Sequence, residues 1–327
     1  MMKMWRKLLV MGMFIFTSVW TTGCGRDKET ELAEVHIAYF NNVTHAQALL
    51  MKSEQSLENS LGDDIKVKWT AFNAGPAEVE ALFAGAIDIG YIGPVPAVNA
   101  NVKSKGDVEI ISGATKGGAV LITGKDSGIR NVADLSGKNV AIPQIGNTQH
   151  LCLLHLLKEN GLAPVTEGGN VTISAIVNAD VANAMERGDI DAAIVPEPWG
   201  TTLLEQGAEL LLDYDQIYMN GQYDVAVVVV RKEFMEENPE IVEQFLKEHE
   251  AVTGKLTENK DEAIKIINAE LERATGKALS DSIIKQAFER IGVSGELNKD
   301  SIMGLAQISK EQKIISEIPK ESALFIQ

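Results

Sequence analysis

The sequence predicts an α/β protein of two similar lobes, each a mostly parallel sheet flanked by helices, with a helical C-terminal tail. Three observations carry that prediction. Short apolar runs alternate with helix-like stretches of about ten residues, the grammar of βαβ units. The stretch "FAGAIDIGYIGPVP", Phe83 to Pro96, returns in altered form as "ERGDIDAAIVPEP", Glu186 to Pro198. Placing Gly85 on Gly188 also places Ile87 on Ile190 and Asp88 on Asp191, an offset of 103 residues. Thr44 and Thr148, each opening a helix pattern, share nearly the same offset, 104. Finally, residues 231–327 hold helical stretches and no good strand. A chain of 327 residues is long enough for two domains. An echo at one offset makes them copies of one topology.

The N-terminus is different in kind. Met1 to Lys7 carries three positive charges, and the 13-residue apolar stretch "LLVMGMFIFTSVW" follows. A membrane-spanning helix needs roughly 18 apolar residues or more, so this stretch reads as the h-region of an export signal. It ends in "TTGC" and turns polar at once with "GRDKETE". A small residue before Cys24 resembles a bacterial lipobox, although Thr21 stands where lipoboxes usually carry Leu. The expectation is a signal peptide over 1–23, lipidation at Cys24 and a tether over 24–34, anchored by acyl chains rather than inserted. The other reading is an ordinary secretory signal with an incidental cysteine.

Cys152 is then the one cysteine left, so no disulfide forms within the mature chain. It lies in the apolar helix pattern "LCLLHLLKEN" and reads as a buried, inert thiol. Removing the first 23 residues, with Lys3, Arg6, Lys7 and no acid, takes the formal charge from −16 to −19. Such a surface repels nucleic acid and anionic headgroups, which excludes DNA binding.

Along the mature chain, "VHIAYF" (Val35 to Phe40) is the first strand, and Thr44 opens a helix in which "THAQ" fits a capping box with Gln47. "IKVKWTAF" alternates as a strand does. "GPAEVEALFAG" places Pro76 in a first helical turn and Gly85 at the helix end, and "IDIGYIG" is a short strand closed by "GPVP". The second half repeats this. "KNVAIPQIGNTQHLCLLHLLKENG" is strand, loop and helix, with Asn147 or Thr148 as N-cap and Gly161 as the C-terminal glycine. "VTISAIV" is a strand, Asp180 caps "VANAMERG", and "DIDAAIVPEP" closes the copy. "YDVAVVVVRK" is a β-branched run for the middle of a sheet. The tail is expected to pack on the first lobe, with the chain crossing between lobes near "GATKGGAV" and "NGQYDV".

Ligands of parallel α/β sheets bind beyond the carboxyl ends of the strands. Two facing lobes bring four such loops to one cleft: Asn41 to His45, Gly93 to Pro96, Gln144 to His150, and Pro196 to Trp199. Two of them lead into helix N-termini with free N–H groups and a positive dipole end. In "QIGNTQ", Gly146 allows close backbone approach while Asn147, Thr148 and Gln149 are neutral donors, which suits a small oxyanion. Asn42 and Thr44 stand in the matching loop. Thr44 and Thr148 serve as caps, as ligand contacts, or as both.

Together "YFNNVTHAQAL", "ALFAGAIDIGYIGPVPAV", "GATKGGAVLI", "DLSGKNVAIPQIGNTQ" and "PEPW" resemble the substrate-binding proteins of ABC importers, in the nitrate/sulfonate/taurine group. The resemblance is close over residues 34–230. It implies a two-lobed periplasmic-binding-protein fold of type II-like form, closing on a ligand and delivering it to a membrane permease with its ATPase. It places His45, Gly93, Pro94, Thr115, Lys116, Asn147, Thr148 and Trp199 in the cleft. Glu197 either meets a ligand ammonium or forms a rim salt bridge, and Trp199 either stacks on an alkyl chain or covers the sheet end. The lobes would comprise 35–117 plus 225–327, and 118–224.

The expected ligand is a small oxyanion, taurine or another aliphatic sulfonate before nitrate or bicarbonate. The expected protein is a lipid-anchored, extracytoplasmic monomer without catalytic residues or cofactor. The five histidines offer no i,i+4 pair, so no metal site is expected. Two other readings remain: an enzyme or binding protein of the thiamine-pyrimidine type on the same fold, against which the lipobox argues, and an extracellular sensor.

Overall fold

The computed structural model describes residues 33–326. Its strands are β1 (Ala33–Phe40), β2 (Ile65–Phe72), β3 (Ile89–Ile92) and β4 (Val108–Gly117) in the first part of the chain. Then follow β5 (Ala119–Thr123), β6 (Asn139–Ile142), β7 (Thr172–Ala175), β8 (Ala192–Pro196) and β9 (Glu209–Leu212). The chain returns through β10 (Asp224–Arg231) and, much later, β11 (Ile291–Val293). They form two sheets, ordered β11-β4-β10-β3-β1-β2 and β7-β6-β8-β5-β9.

Both sheets are mixed. β1, β2 and β3 run parallel, as do β6, β7 and β8. The strands that carry the chain from one sheet to the other, β4, β5 and β10, make antiparallel pairs. Between β4 and β5 the passage is a tandem of left-handed glycines, Gly117 (φ 68°) and Gly118 (φ 74°). A Cβ on Gly118 would stand 2.5 Å from Ile291 Cγ2, so the passage requires glycine twice over.

Each sheet is covered on both faces. β10 shows why its valine run is continuous. Ala226, Val228 and Val230 pack into one core with Leu49, Leu50 and the tail residues Phe245, Ile267 and Phe288. Val227 and Val229 alternate into the opposite core with Val79, Val98 and Ile302. The second sheet divides likewise, with Leu121, Ile142 and Leu153 on one side and Val120, Ala141 and Val195 on the other.

The sequence echo is a repeated hydrogen-bond motif. Asp88 accepts the backbone N–H of His36 (2.9 Å), and Asp191 accepts that of Asn139 (2.8 Å), both pairs again 103 residues apart. In each case the acid's own N–H returns to the carbonyl of the same partner at 2.9 Å. Asp88 and Asp191, each just ahead of a strand, thus pin the starts of β3 and β8 to the neighbouring parallel strands β1 and β6.

Three local expectations fail. The Thr44–Gln47 capping box does not form: Asn42 is the N-cap, accepting from the Thr44 N–H, and Gln47 donates instead to the Ala114 carbonyl. Asp180 precedes its helix in αR conformation and makes no side-chain cap. Residues 231–327 do contain a strand, β11, whose three residues pair antiparallel with the end of β4. Three residues are too few to carry a period. Among the described residues, no helix is long and apolar enough to cross a membrane. Cys24 lies outside them. Cys152 is fully buried, and burial pushes its thiol up to about 12.

Candidate functional site

β1, β2, β3 and β6 all run out into helix starts at one place. The Asn42 loop leads through a 3-10 turn (Val43–His45) into the helix Ala46–Glu54. Ala74, Gly93 and Asn147 are the N-caps of the helices Gly75–Phe83, Pro94–Ser104 and Thr148–Glu159. These starts enclose a cavity lined by Asn42, Thr44 and His45, by Asn73 to Gly75, by Gly93 and Pro96, and by Asn147, Thr148 and Gln149. Phe40, Pro143, Asn178, Pro196 and Val225 complete the wall. Not one lining residue is Asp, Glu, Lys or Arg. The cavity offers about 30 Å³ for the centres of water-sized groups, room for a compact head group and little more.

The electrostatics come from backbone. First-turn N–H groups have no acceptor inside their own helix, and each helix presents its positive end to the cavity. The Asn147 side chain is occupied. Its Oδ1 accepts from the His150 N–H (2.8 Å), and its amide donates to Gln149 Oε1 (3.1 Å). Two buried polar atoms of the lining lack a partner: the Oγ1 of Thr148, a residue 2% exposed, and Asn178 Oδ1. A buried hydroxyl without a partner is costly, and here it borders a polar cavity. His45 also lines the wall. Its Nδ1 accepts from the Phe40 N–H (3.2 Å), which leaves the proton on Nε2. Burial drives its pKa down to about 3, so the ring is a neutral donor.

The two halves meet directly at the back of the cavity. A Cβ on Gly93 would lie 2.5 Å from Thr148 Oγ1. Val95, the second residue of its helix, shares a core with Leu151 and Leu154 of the opposing helix. Gly93 is glycine because a side chain there would occupy the position of Thr148 Oγ1.

Other residues singled out by sequence stand outside this cavity. Pro94 is buried at the first helical position, where its missing N–H costs nothing. Thr115 donates to the Thr44 carbonyl at 2.6 Å, holding the loop from behind. Lys116 lies on β4 beside Asp224. The Gly146 N–H donates to His150 Nδ1 (3.1 Å) at a left-handed φ of 82°. Glu197 is wholly buried, accepting from the Thr201 N–H and Oγ1 (both 3.0 Å) and facing Arg290 at 3.3 Å. Burial raises its pKa, and the Thr201 bonds and Arg290 oppose that rise. Arg290 in turn donates to Asp213 at 2.7 Å. The salt bridge read from the sequence is present, buried rather than at a rim. Trp199 lines a second, larger chamber that shares Phe40, Asn42, Asn73 and Asn178 with the cavity.

Asn73 to Gly75 and Asn178 were missed by sequence. They follow "IKVKWTAF" and "VTISAIV", so the same strand-end rule, applied to every strand, would have found them.

Fold and cavity together define an α/β protein with the fold of periplasmic binding proteins and an uncharged cavity between the ends of two sheets. The chain belongs to the NMT1-like family, whose model matches residues 28–268. It is 29% identical over 271 residues to the taurine-binding periplasmic protein of Escherichia coli (strain K12), covering 80% of this chain and 82% of that one. Its fold is similar to the alkanesulfonate-binding protein of Xanthomonas axonopodis pv. citri bound to MOPS. The TM-score is 0.74 at 24% identity, covering 90% of this chain and 98% of that one. It is also similar to the periplasmic aliphatic sulphonate binding protein of Escherichia coli, with a TM-score of 0.71 at 23% identity, over 90% and 92% of the two chains.

Proposed function

We propose that this chain is the extracytoplasmic substrate-binding protein of an ABC importer, a monomer and not an enzyme, which captures a small organic oxyanion and hands it to the permease. An alkanesulfonate is the ligand class the site favours; nitrate and bicarbonate are competitors. The observation that carries the reading is the orphaned Thr148 hydroxyl at an uncharged cavity ringed by helix N-termini. Oriented N–H groups favour an anion without a buried counter-charge, which would be costly whenever the cleft empties. The taurine-binding relative supports the head group.

Capture would proceed by closure of two lobes, 35–117 plus 225–327 and 118–224, about the Gly117–Gly118 passage and the return into β10. Ligand contacts made on both sides would shift the population toward the closed form. Cys24 would carry the acyl chains that keep the protein at the membrane surface.

Calorimetry with alkanesulfonates, nitrate, bicarbonate and a formylaminopyrimidine tests the function. Sulfonates are expected to bind tightest. Tight binding of nitrate alone overturns the ligand class and leaves the importer reading standing. The uncharged wall also suits a neutral pyrimidine, and binding of that probe alone rejects the oxyanion reading. Palmitate labelling tests the anchor: the wild type should label, and a labelled Cys24→Ser would contradict the assignment.

A further inference from the structure

An ion network brackets the passage between the two sheets. β4 leads through Gly117 and Gly118 into β5. In the first sheet β4 is flanked by β11, which begins directly after Arg290. In the second sheet β5 is flanked by β8 and β9, which end directly before Glu197 and Asp213. One guanidinium therefore spans the junction. Its Nε donates to Asp213 Oδ1 (2.7 Å), and one terminal nitrogen donates to Thr201 Oγ1 (2.8 Å) and to Glu197 Oε1 (3.3 Å).

Backbone contacts tie this network to the crossing itself. The Glu197 N–H donates to the Gly118 carbonyl (2.8 Å), and the Gly117 N–H donates to the Tyr223 carbonyl (3.0 Å), where the chain returns. A Cβ on Gly117 would lie 2.7 Å from Tyr214 Cδ2 and 3.0 Å from the Arg290 carbonyl oxygen. The donors of a guanidinium are fixed in one plane, so it meets acceptors from two separate strands only over a narrow range of orientations. Glu197 is wholly buried and the Arg290 side chain is 15% exposed. Turning one sheet against the other would loosen the fork and leave a buried charge unpaired, which is costly. Arg290, Glu197, Asp213 and Thr201 line neither the cavity nor the larger chamber. Any effect they have on ligand must run through the arrangement of the two halves.

We infer that Arg290 is a positioning residue for the ligand site: its fork across the crossing holds the two halves in the arrangement that brings Gly93 against Thr148. This rests on the two-lobe closure proposed above. The fork keeps the ligand-free chain partly closed and so raises affinity without touching the ligand, since apparent affinity scales with the fraction of chains already in the binding arrangement. Its loss should weaken every ligand by one common factor, whatever the ligand's chemistry.

The test compares wild type with Arg290→Gln on the full chain in detergent, by calorimetry with methanesulfonate, ethanesulfonate and taurine and by small-angle scattering without ligand. Arg290→Gln should weaken all three probes by the same factor, about tenfold, with their ratios held within about twofold. Its ligand-free radius should exceed that of the wild type. Asp213→Asn removes only the partner that is one-third exposed. It should shift both readouts the same way, with about threefold in affinity, and it carries the test if Arg290→Gln does not fold. A lowered melting temperature with affinity and radius unchanged makes Arg290 structural and overturns the inference. An unequal loss among the probes, or an equal loss with no change of radius, overturns it too. If the wild type binds no probe, the proposed ligand class falls and the radius alone decides: a larger one upholds the inference, an unchanged one overturns it.

Discussion

Two loops occupy corresponding places in the two halves, and their polar groups have different fates. In each, an asparagine caps the helix: Asn42 accepts from the Thr44 N–H, and Asn147 from the His150 N–H. In each, a histidine Nδ1 accepts a backbone N–H, His45 from Phe40 and His150 from Gly146. The threonines part company. Thr44 Oγ1 is bound to Asn42 Oδ1 at 2.6 Å, and its carbonyl accepts from Thr115. Thr148 Oγ1 is bound to nothing. One copy of the motif is scaffold, and the other keeps a donor in reserve. Repetition supplied the geometry, and the unsatisfied hydroxyl is where the proposed ligand would act.

The largest effect should come from Thr148→Ala. A charge-assisted hydrogen bond contributes about 1.5–3 kcal/mol, so sulfonate affinity should fall roughly 10- to 150-fold. The melting temperature should hold, because no internal bond is lost. Gly93→Ala strikes the same hydroxyl from the other side. Overpacking of about 1–2 kcal/mol should reduce affinity roughly five- to thirtyfold, read by the same titration. Thr44→Ala should do the converse, costing about 1 kcal/mol in chemical denaturation through the lost bond to Asn42 while affinity changes little. Equal affinity losses in Thr44→Ala and Thr148→Ala would erase the asymmetry.

Protonation sharpens the comparison further. Burial pulls the pKa of His45 down to about 3 and of His150 to about 4, both from 6.5. The donors therefore stay neutral, and wild-type affinity should vary by less than about threefold between pH 5 and pH 8. Stability behaves differently. Unfolded histidine takes up a proton below its ordinary pKa, and the folded ring does not. The contribution of His150 is complete above pH 6.5 and is lost as pH falls toward 4. His150→Asn should therefore show a smaller drop in melting temperature from pH 7 to pH 5. Asp224, pushed up to about 6 by burial, acts in the opposite sense in both proteins and cancels from the comparison. Smallest of all is Glu197→Gln, which should leave the taurine-to-ethanesulfonate affinity ratio unchanged because its carboxylate faces Arg290 and Thr201.

Much of this was legible in the sequence where the signal is local and long. The alternation of "IKVKWTAF" gives β2 residue for residue, and the amphipathic "KDEAIKIINAELERAT" gives the helix Lys260–Thr275. The echo identified Asp88 and Asp191 as equivalents before their shared role was visible. β11 was not legible, because its pairing with β4 lies far away in sequence. The Thr44–Gln47 box was misread because a nearer acceptor, Asn42 Oδ1, and a distant one, the Ala114 carbonyl, outcompete it. At the site, the strand-end rule found Asn147 to Gln149. It could not find the partner of Glu197, since Arg290 lies 93 residues away.

The central claim is that the anion sits on neutral donors of the second-half loop. A crystal structure of the complex with ethanesulfonate tests it most directly. The sulfonate oxygens should lie within hydrogen-bond distance of Thr148 Oγ1 and the Thr148 and Gln149 amides, with Thr44 Oγ1 still on Asn42. A sulfonate seated on Lys116 or Arg290, or on Thr44 with Thr148 turned away, would contradict it.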